Sequence, residues 1–355
     1  MNNREKLQKL CKPGEAILLT GEPNRFYAAG IHTSAGLALL SSDRAAFITD
    51  SRYIENARKR LPDFAVLQQT REDTYYKLVK GLLEAWGGNG EVGFEEGIRT
   101  VAEQEKWAKE LPGVKWVHAG KKVSGARDVK ERWEIERMER AQRIAERALE
   151  AVLGLIKPGM TEREAAAELT YHMLKYGADK LSFEPIVASG ANSSMPHAEP
   201  GDKKIEDGDF LTMDFGCMVD GYCSDMTRTV AIGHATDEMR RIYNVVLEAQ
   251  LAGIAAAKAG VAGEAVHGAA AAVIGGAGYG DYFGHGFGHG LGIEVHEGMG
   301  AYPGAKDALK DGTVISAEPG IYLPGRFGVR IEDCVVIREG GCENLMTAPK
   351  QLLIL

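Results

Sequence analysis

The 355 residues predict two domains of different class, an α/β domain over residues 1–125 followed by an α+β domain over residues 126–355. Three observations carry that reading. The chain is long for a single hydrophobic core, so two domains are the natural expectation. Strand-like runs alternate with helical stretches over the first third, the pattern of a layered sheet with helices. From Lys130 onward the texture changes to long one-faced helices and groups of apolar strands, several with an acid inside them.

In the first domain, "GLALLSSDRAAFITD" reads as a hairpin, two apolar runs joined by Ser41-Ser42-Asp43. "FAVLQQT", "EVGFEE" and "VKWVHAG" are strand-like, with helical stretches around 73–86 and 100–110 between them. No glycine-rich phosphate loop marks this half as a nucleotide domain. In the second domain, Met138, Ala141, Ala145, Ala148, Val152 and Leu155 recur at helical spacing until Pro158-Gly159 stops the helix. Thr161 with Glu164 offers a capping box for a second helix that Gly177 ends. A third helix follows Thr236 and closes at Gly260. "FLTMDFG", "GYCSDMTRTVAI", "GTVISAEPGIY" and "GVRIEDCVVI" are strand-like, and their alternation with helices hints at an internal duplication without a strict repeat.

Composition narrows the function classes. A chain 45% hydrophobic and 26% charged is ordinary globular protein, and a net charge of −8 argues against nucleic-acid binding, which needs a basic face. No apolar run is long enough to span a bilayer, and "MNNREKLQKLCKPGEA" lacks a secretory signal, so a cytoplasmic protein without membrane contact is expected. The five cysteines include no C-x-x-C pair. Reduced, buried thiols are expected rather than a zinc site from Cys217, Cys223, Cys334 and Cys342, whose spacings are loose.

The acids inside the strands are the informative residues, because strand interiors disfavour Asp. Asp220-Gly221 is a strong two-residue hairpin signal. With that turn, Val219 pairs with Tyr222 and Asp225 falls opposite Gly216, so Asp214 and Asp225 are diagonal neighbours on one face. Two bare carboxylates that close repel unless a cation lies between them. Glu318 in "SAEPG" and Glu332 in "VRIED" flank Pro324-Gly325 in the same way. An odd loop centred on Gly325 puts them opposite each other, an even one does not, and the sequence leaves both open.

"GHGFGHGLGIEVHEG", residues 284–298, holds three of the chain's nine histidines among six glycines. It has no G-x-G-x-x-G, no Walker pattern and no lysine to meet a phosphate. Four carboxylates with an imidazole and no thiolate make a hard, oxygen-rich site. That chemistry suits Mn²⁺, Fe²⁺, Co²⁺ or Zn²⁺ at two adjacent positions, and the carboxylate excess favours Mn²⁺.

In chain order, "VASGANSSMPHA", "MDFG", "SDMTRT", "GHGFGHGLGIEVHEG", "SAEPGIY" and "VRIED" resemble the pita-bread metallopeptidases, and within them the Xaa-Pro branch of aminopeptidase P and prolidase. "TDSRYIENA" resembles a segment of that family's N-terminal domain. The resemblance implies a creatinase/prolidase-like α/β domain before an α+β pita-bread catalytic domain. It implies two divalent metal ions held by Asp214, Asp225, His289, Glu318 and Glu332, with Asp225 and Glu332 bridging, and a homodimer. His197, His285 and His296 match the non-ligand histidines, and Tyr322 and Arg330 match supporting residues. On this likeness catalysis falls to Glu318, His197, His285 and His296, and substrate contact to the three histidines with Tyr322 and Arg330. Arg330 shares a strand face with Glu332 and is expected to orient that carboxylate.

The implied reaction removes an N-terminal residue that precedes proline. An X-Pro bond has no N–H and the ring fixes φ, so a site of apolar walls and histidine edges suits it. Phe287, Tyr322 and the neighbourhood of Met299 are candidate wall pieces, though each could equally be core. Several prolidases carry an arginine four residues after the histidine matching His296; here that position is Gly300, which leans toward aminopeptidase P over a dipeptidase. Methionine aminopeptidase-like activity and a non-catalytic pita-bread binding module are the rivals.

Overall fold

The computed structural model describes residues 2–88 and 90–355. The chain divides into two compact units, Met1–Arg127 and Asp128–Leu355.

The first unit is built on a mixed six-stranded sheet. Its spatial order is Ala65–Gln68, Ala45–Thr49, Leu37–Ser41, Ala16–Leu19, Glu91–Phe94 and Lys115–His118. The predicted hairpin is present, with Leu40 opposite Ala45 and Ser41 closing the turn on Arg44. Helices Tyr75–Trp86 and Val101–Glu110 lie where the pattern placed them, each started by a threonine cap. The central strand Ala16–Leu19 escaped the pattern because all four residues are buried, so no alternation marks it.

The second unit repeats one plan, a helix pair followed by an antiparallel three-stranded sheet. Helices Arg132–Leu153 and Glu162–Lys175 pack on strands Ile186–Ser189, Phe210–Phe215 and Met226–Ala231. Helices Asp237–Ala256 and Gly263–Gly276 pack on strands Val314–Ala317, Asp333–Arg338 and Gly341–Asn344. The predicted capping box of Thr161 and Glu164 forms, and Thr236 caps the third helix. Helix Gly263–Gly276 is rich in glycine and alanine, and its weak amphipathic signal hid it from the sequence pattern. No described helix is long and apolar enough to cross a membrane.

Both acidic hairpins form. Val219 pairs with Tyr222 around Asp220-Gly221, whose φ angles of 48° and 81° are those of the turn type that glycine and aspartate tolerate. The same register continues to Phe215–Met226 and Asp214–Thr227, which sets Asp225 across from Gly216. In the second hairpin Leu323 pairs with Phe327, leaving the three-residue loop Pro324-Gly325-Arg326. The loop is odd. Ala317 pairs with Asp333 in the same register, so Glu318 stands opposite Glu332.

Candidate active site

The two hairpins meet at Thr227 and Glu332, where Glu332 N donates to Thr227 O and the Thr227 hydroxyl donates to Glu332 Oε2 at 2.7 Å. That junction brings two diagonal aspartates and two facing glutamates to one wall. The histidine-rich segment supplies the opposite side. Residues 287–291 run beside strand Val314–Ala317, with Ser316 N donating to His289 O and Glu318 N to Phe287 O. A Cβ at Gly288 would be built against the Ser316 carbonyl, so the glycine is required for this close backbone approach.

Asp214, Asp225, His289, Glu318 and Glu332 line a cavity of about 320 Å³ together with His197 and His296. His289 Nε2 lies 3.4 Å from Asp225 Oδ2 and 3.3 Å from Glu318 Oε1. Asp225, His289 and Glu332 offer donor atoms all within 4.8 Å of one another. The Ser316 hydroxyl donates to Glu318 Oε1 and accepts from His289 N, holding those two groups in one frame.

Burial and crowding shift the acids upward. Desolvation is the main cause for each, with neighbouring carboxylates adding to it: Asp214 is raised, Asp225 is pushed up to about 7 and Glu332 well above the usual range. For His289 burial opposes the cation, but Asp225 and Glu318 outweigh it and push the imidazole up to about 9. His296 goes the other way, lowered by burial and by His289, whose ring centroid is 4.1 Å away.

Two buried carboxylate oxygens, Asp214 Oδ1 and Glu332 Oε1, have no hydrogen-bond partner among the described residues. An acid left so inside a protein is costly unless a cation satisfies it. Four hard carboxylates with an imidazole, and two orphaned oxygens among them, fit divalent metal and fit an empty apolar interior poorly.

Arg330 corrects one expectation. Its guanidinium donates to Asp214 Oδ2 at 2.6 Å, not to Glu332, and reaches Glu332 only through the Thr227 hydroxyl. His285, Tyr322 and Arg330, the other residues expected to contact substrate, form a hydrogen-bonded group beside Asp214. Their polar atoms are engaged with one another, since Arg330 donates to the Tyr322 hydroxyl at 2.9 Å and that hydroxyl lies 2.9 Å from His285 Nε2. His285 Nδ1 faces Gly286 O at 2.8 Å, which leaves Nε2 as the acceptor for Tyr322. Burial raises Tyr322 to about 12, so its proton stays in place.

Of the two readings of the apolar candidates, core packing holds for Phe287 and Met299. Phe287 is fully buried against Gly253, and Met299 packs on the same core. Phe183, Pro185, Ile186 and Val295 line the cavity instead, with the exposed acids Glu184 and Glu199 at its rim. The "SFEPI" run directly before "VASG" was the available signal. The cysteines are all free, with Cys11, Cys217, Cys223 and Cys334 buried and Cys342 half-buried.

Comparison with known proteins agrees with this geometry. Residues 136–339 match the model of metallopeptidase family M24, and residues 4–129 match the creatinase/prolidase N-terminal domain. A Xaa-Pro dipeptidase of Pyrococcus furiosus is 34% identical over 358 residues, covering 99% of this chain and 100% of that protein. A Xaa-Pro dipeptidase structure from Bacillus anthracis has a TM-score of 0.94 at 38% identity and covers 99% of both chains. An X-Pro aminopeptidase structure from Thermotoga maritima has a TM-score of 0.92 at 36% identity, covering 98% of this chain and 99% of that one. Paired carboxylate hairpins, a histidine between them and these full-length likenesses together place the chain in metallopeptidase family M24, as a metal-dependent peptidase with a creatinase-type N-terminal domain and a pita-bread catalytic domain.

Proposed function

We propose that this enzyme is an Xaa-Pro dipeptidase, an exopeptidase that splits a residue from the proline following it. The observation that carries the reading is the convergence of four acids and His289 on one cavity, with two of their buried oxygens unpartnered. Asp214, Asp225, His289, Glu318 and Glu332 would hold two divalent ions, with Mn²⁺ favoured by the oxygen-rich donor set. When bound, such ions supply an activated water at neutral pH and polarise the scissile carbonyl.

The chain's own residues do the rest. Arg330 and Thr227 hold Asp214 and Glu332 in position. Glu318, held by the Ser316 hydroxyl at Oε1, would take the proton of the attacking water and return it to the proline nitrogen as the bond breaks. His197 and His296 donate to the carbonyl oxygen as it gains charge, and the lowered His296 is a neutral imidazole with one N–H to give. Phe183, Pro185, Ile186 and Val295 offer the proline ring an apolar wall that asks for no N–H.

One observation favours a second reading, Xaa-Pro aminopeptidase. Among the described residues that line the cavity there is no lysine or arginine to pair with a dipeptide's carboxylate. The names of the relatives favour the dipeptidase. Hydrolysis of Ala-Pro, Ala-Pro-Ala and Met-Ala-Ser, with Mn²⁺ and after chelation, separates them. Metal-dependent cleavage of Ala-Pro above the tripeptide supports the dipeptidase and the reverse supports the aminopeptidase. Preference for Met-Ala-Ser, or no cleavage at all, sinks the Xaa-Pro reading.

A further inference from the structure

We infer that the buried ion pair of Lys130 and Glu297 is the positioning device for His296, the histidine that faces the scissile carbonyl. The inference rests on the role proposed for His296 above. Lys130 Nζ lies 3.1 Å from Glu297 Oε1, and the two side chains are only 2% and 5% exposed. A charged pair taken so far out of water is a poor source of stability, because desolvation consumes most of its attraction. Its value must be sought in what it holds still.

Both ends of the pair are tied to the site. Glu297 directly follows His296, and its Oε2 accepts from Glu294 N at 3.0 Å. Glu297 N donates to Gly290 O and Gly292 N to Glu294 O, so residues 290–297 form a closed turn that starts at His289's neighbour and ends at His296's. The end of the Lys130 stem lies against this turn, since a Cβ at Gly292 would sit 2.8 Å from Lys130 Cε. At its other end Lys130 is fixed by its backbone, donating N–H to Gly312 O at 2.9 Å beside the Val129–Thr313 bridge. Thr313 leads directly into strand Val314–Ala317, which delivers Glu318. One lysine therefore references the turn of His296 to the strand of Glu318. Catalytic donors misplaced by about 1 Å lose on the order of 10²-fold, so such a reference matters to rate more than to folding.

The test is a kinetic cycle on the full-length, metal-loaded enzyme with Ala-Pro as substrate. K130M is expected to lower kcat on the order of 10-fold or more with KM changed less than about twofold. K130R is expected to recover part of the loss. K130M leaves Glu297 buried and unpaired, so the neutral pair K130M/E297Q is made alongside; it is expected to regain thermal stability while kcat stays low. In an H296A background, K130M is expected to cost less than about twofold, because the histidine that the pair positions is gone. Wild-type kcat in folded K130M/E297Q, or an undiminished K130M effect in H296A, overturns the inference. Full activity of H296A itself overturns the proposed role of that histidine, and with it the inference.

Discussion

Replacing Gly288 by alanine tests the close approach that brings His289 to the acids. The new methyl would be built against the Ser316 carbonyl, which is backbone and cannot rotate away. Restoring an ordinary C···O contact of about 3.3 Å requires the two segments to part by roughly 1 Å or more. Of the hydrogen bonds that span the gap, three lie next to the contact: Ser316 N to His289 O at 2.8 Å, Glu318 N to Phe287 O at 2.7 Å, and His289 N to the Ser316 hydroxyl at 2.9 Å. Loosening them at about 1 kcal/mol each, with overpacking strain added, destabilises by on the order of 4 kcal/mol. In a unit of this size that lowers Tm by roughly 10 °C. The shift also carries His289 away from Asp225 and Glu318, so kcat/KM should fall on the order of 10²-fold. Gly284→Ala is the control, because nothing lies within 4 Å of a Cβ there. Circular dichroism melts and Ala-Pro hydrolysis at saturating Mn²⁺ read both effects. If the two variants behave alike, the close packing of this segment on the Ser316 strand is wrong.

Thr227→Val removes the hydroxyl that joins Arg330 to Glu332, and Mn²⁺ affinity measured by calorimetry should drop about 10–100-fold. Unchanged affinity would show that Glu332 needs no such support. Glu162, fully buried, accepts from Ser189, Asn192 and Gly201 around the segment that presents His197. Glu162→Gln should cost about 1–3 kcal/mol in urea unfolding, and a melt equal to wild type would contradict that bracing role. Metal-stripped enzyme should lose thermal stability as pH rises. Asp225's folded pKa of about 7 exceeds its unfolded value near 4, so its contribution is complete below about pH 4 and gone above about pH 7. His289, raised to about 9, extends the loss from about pH 6.5 to about pH 9. Mn²⁺ should restore stability most at high pH, and a flat profile without metal would refute the crowding of the acids.

The sequence was most legible where local chemistry leaves little choice. Asp220-Gly221 dictates a two-residue turn, and period-two alternation then carries Asp225 across from Gly216 without further information. Capping boxes and the apolar faces of the long helices were equally readable. Less legible were elements buried on all sides. Strand Ala16–Leu19 has no polar face to give it a period, and helix Gly263–Gly276 has little contrast between its faces.

Order along the chain, turn type and the chemical nature of the donor set were thus determined by the sequence alone, because each follows from interactions between residues a few positions apart. Tertiary structure alone decided that the loop at Gly325 is odd, that Arg330 donates to Asp214 instead of Glu332, and that His285 shares the Tyr322 hydroxyl with Arg330. It also decided that Phe183 and Val295, and not Phe287, make the wall. Those outcomes depend on how two hairpins and a glycine-rich segment, distant in sequence, press together. A side chain's partner across such a junction is set by angles and distances of packing, for which no spacing in the sequence is a code.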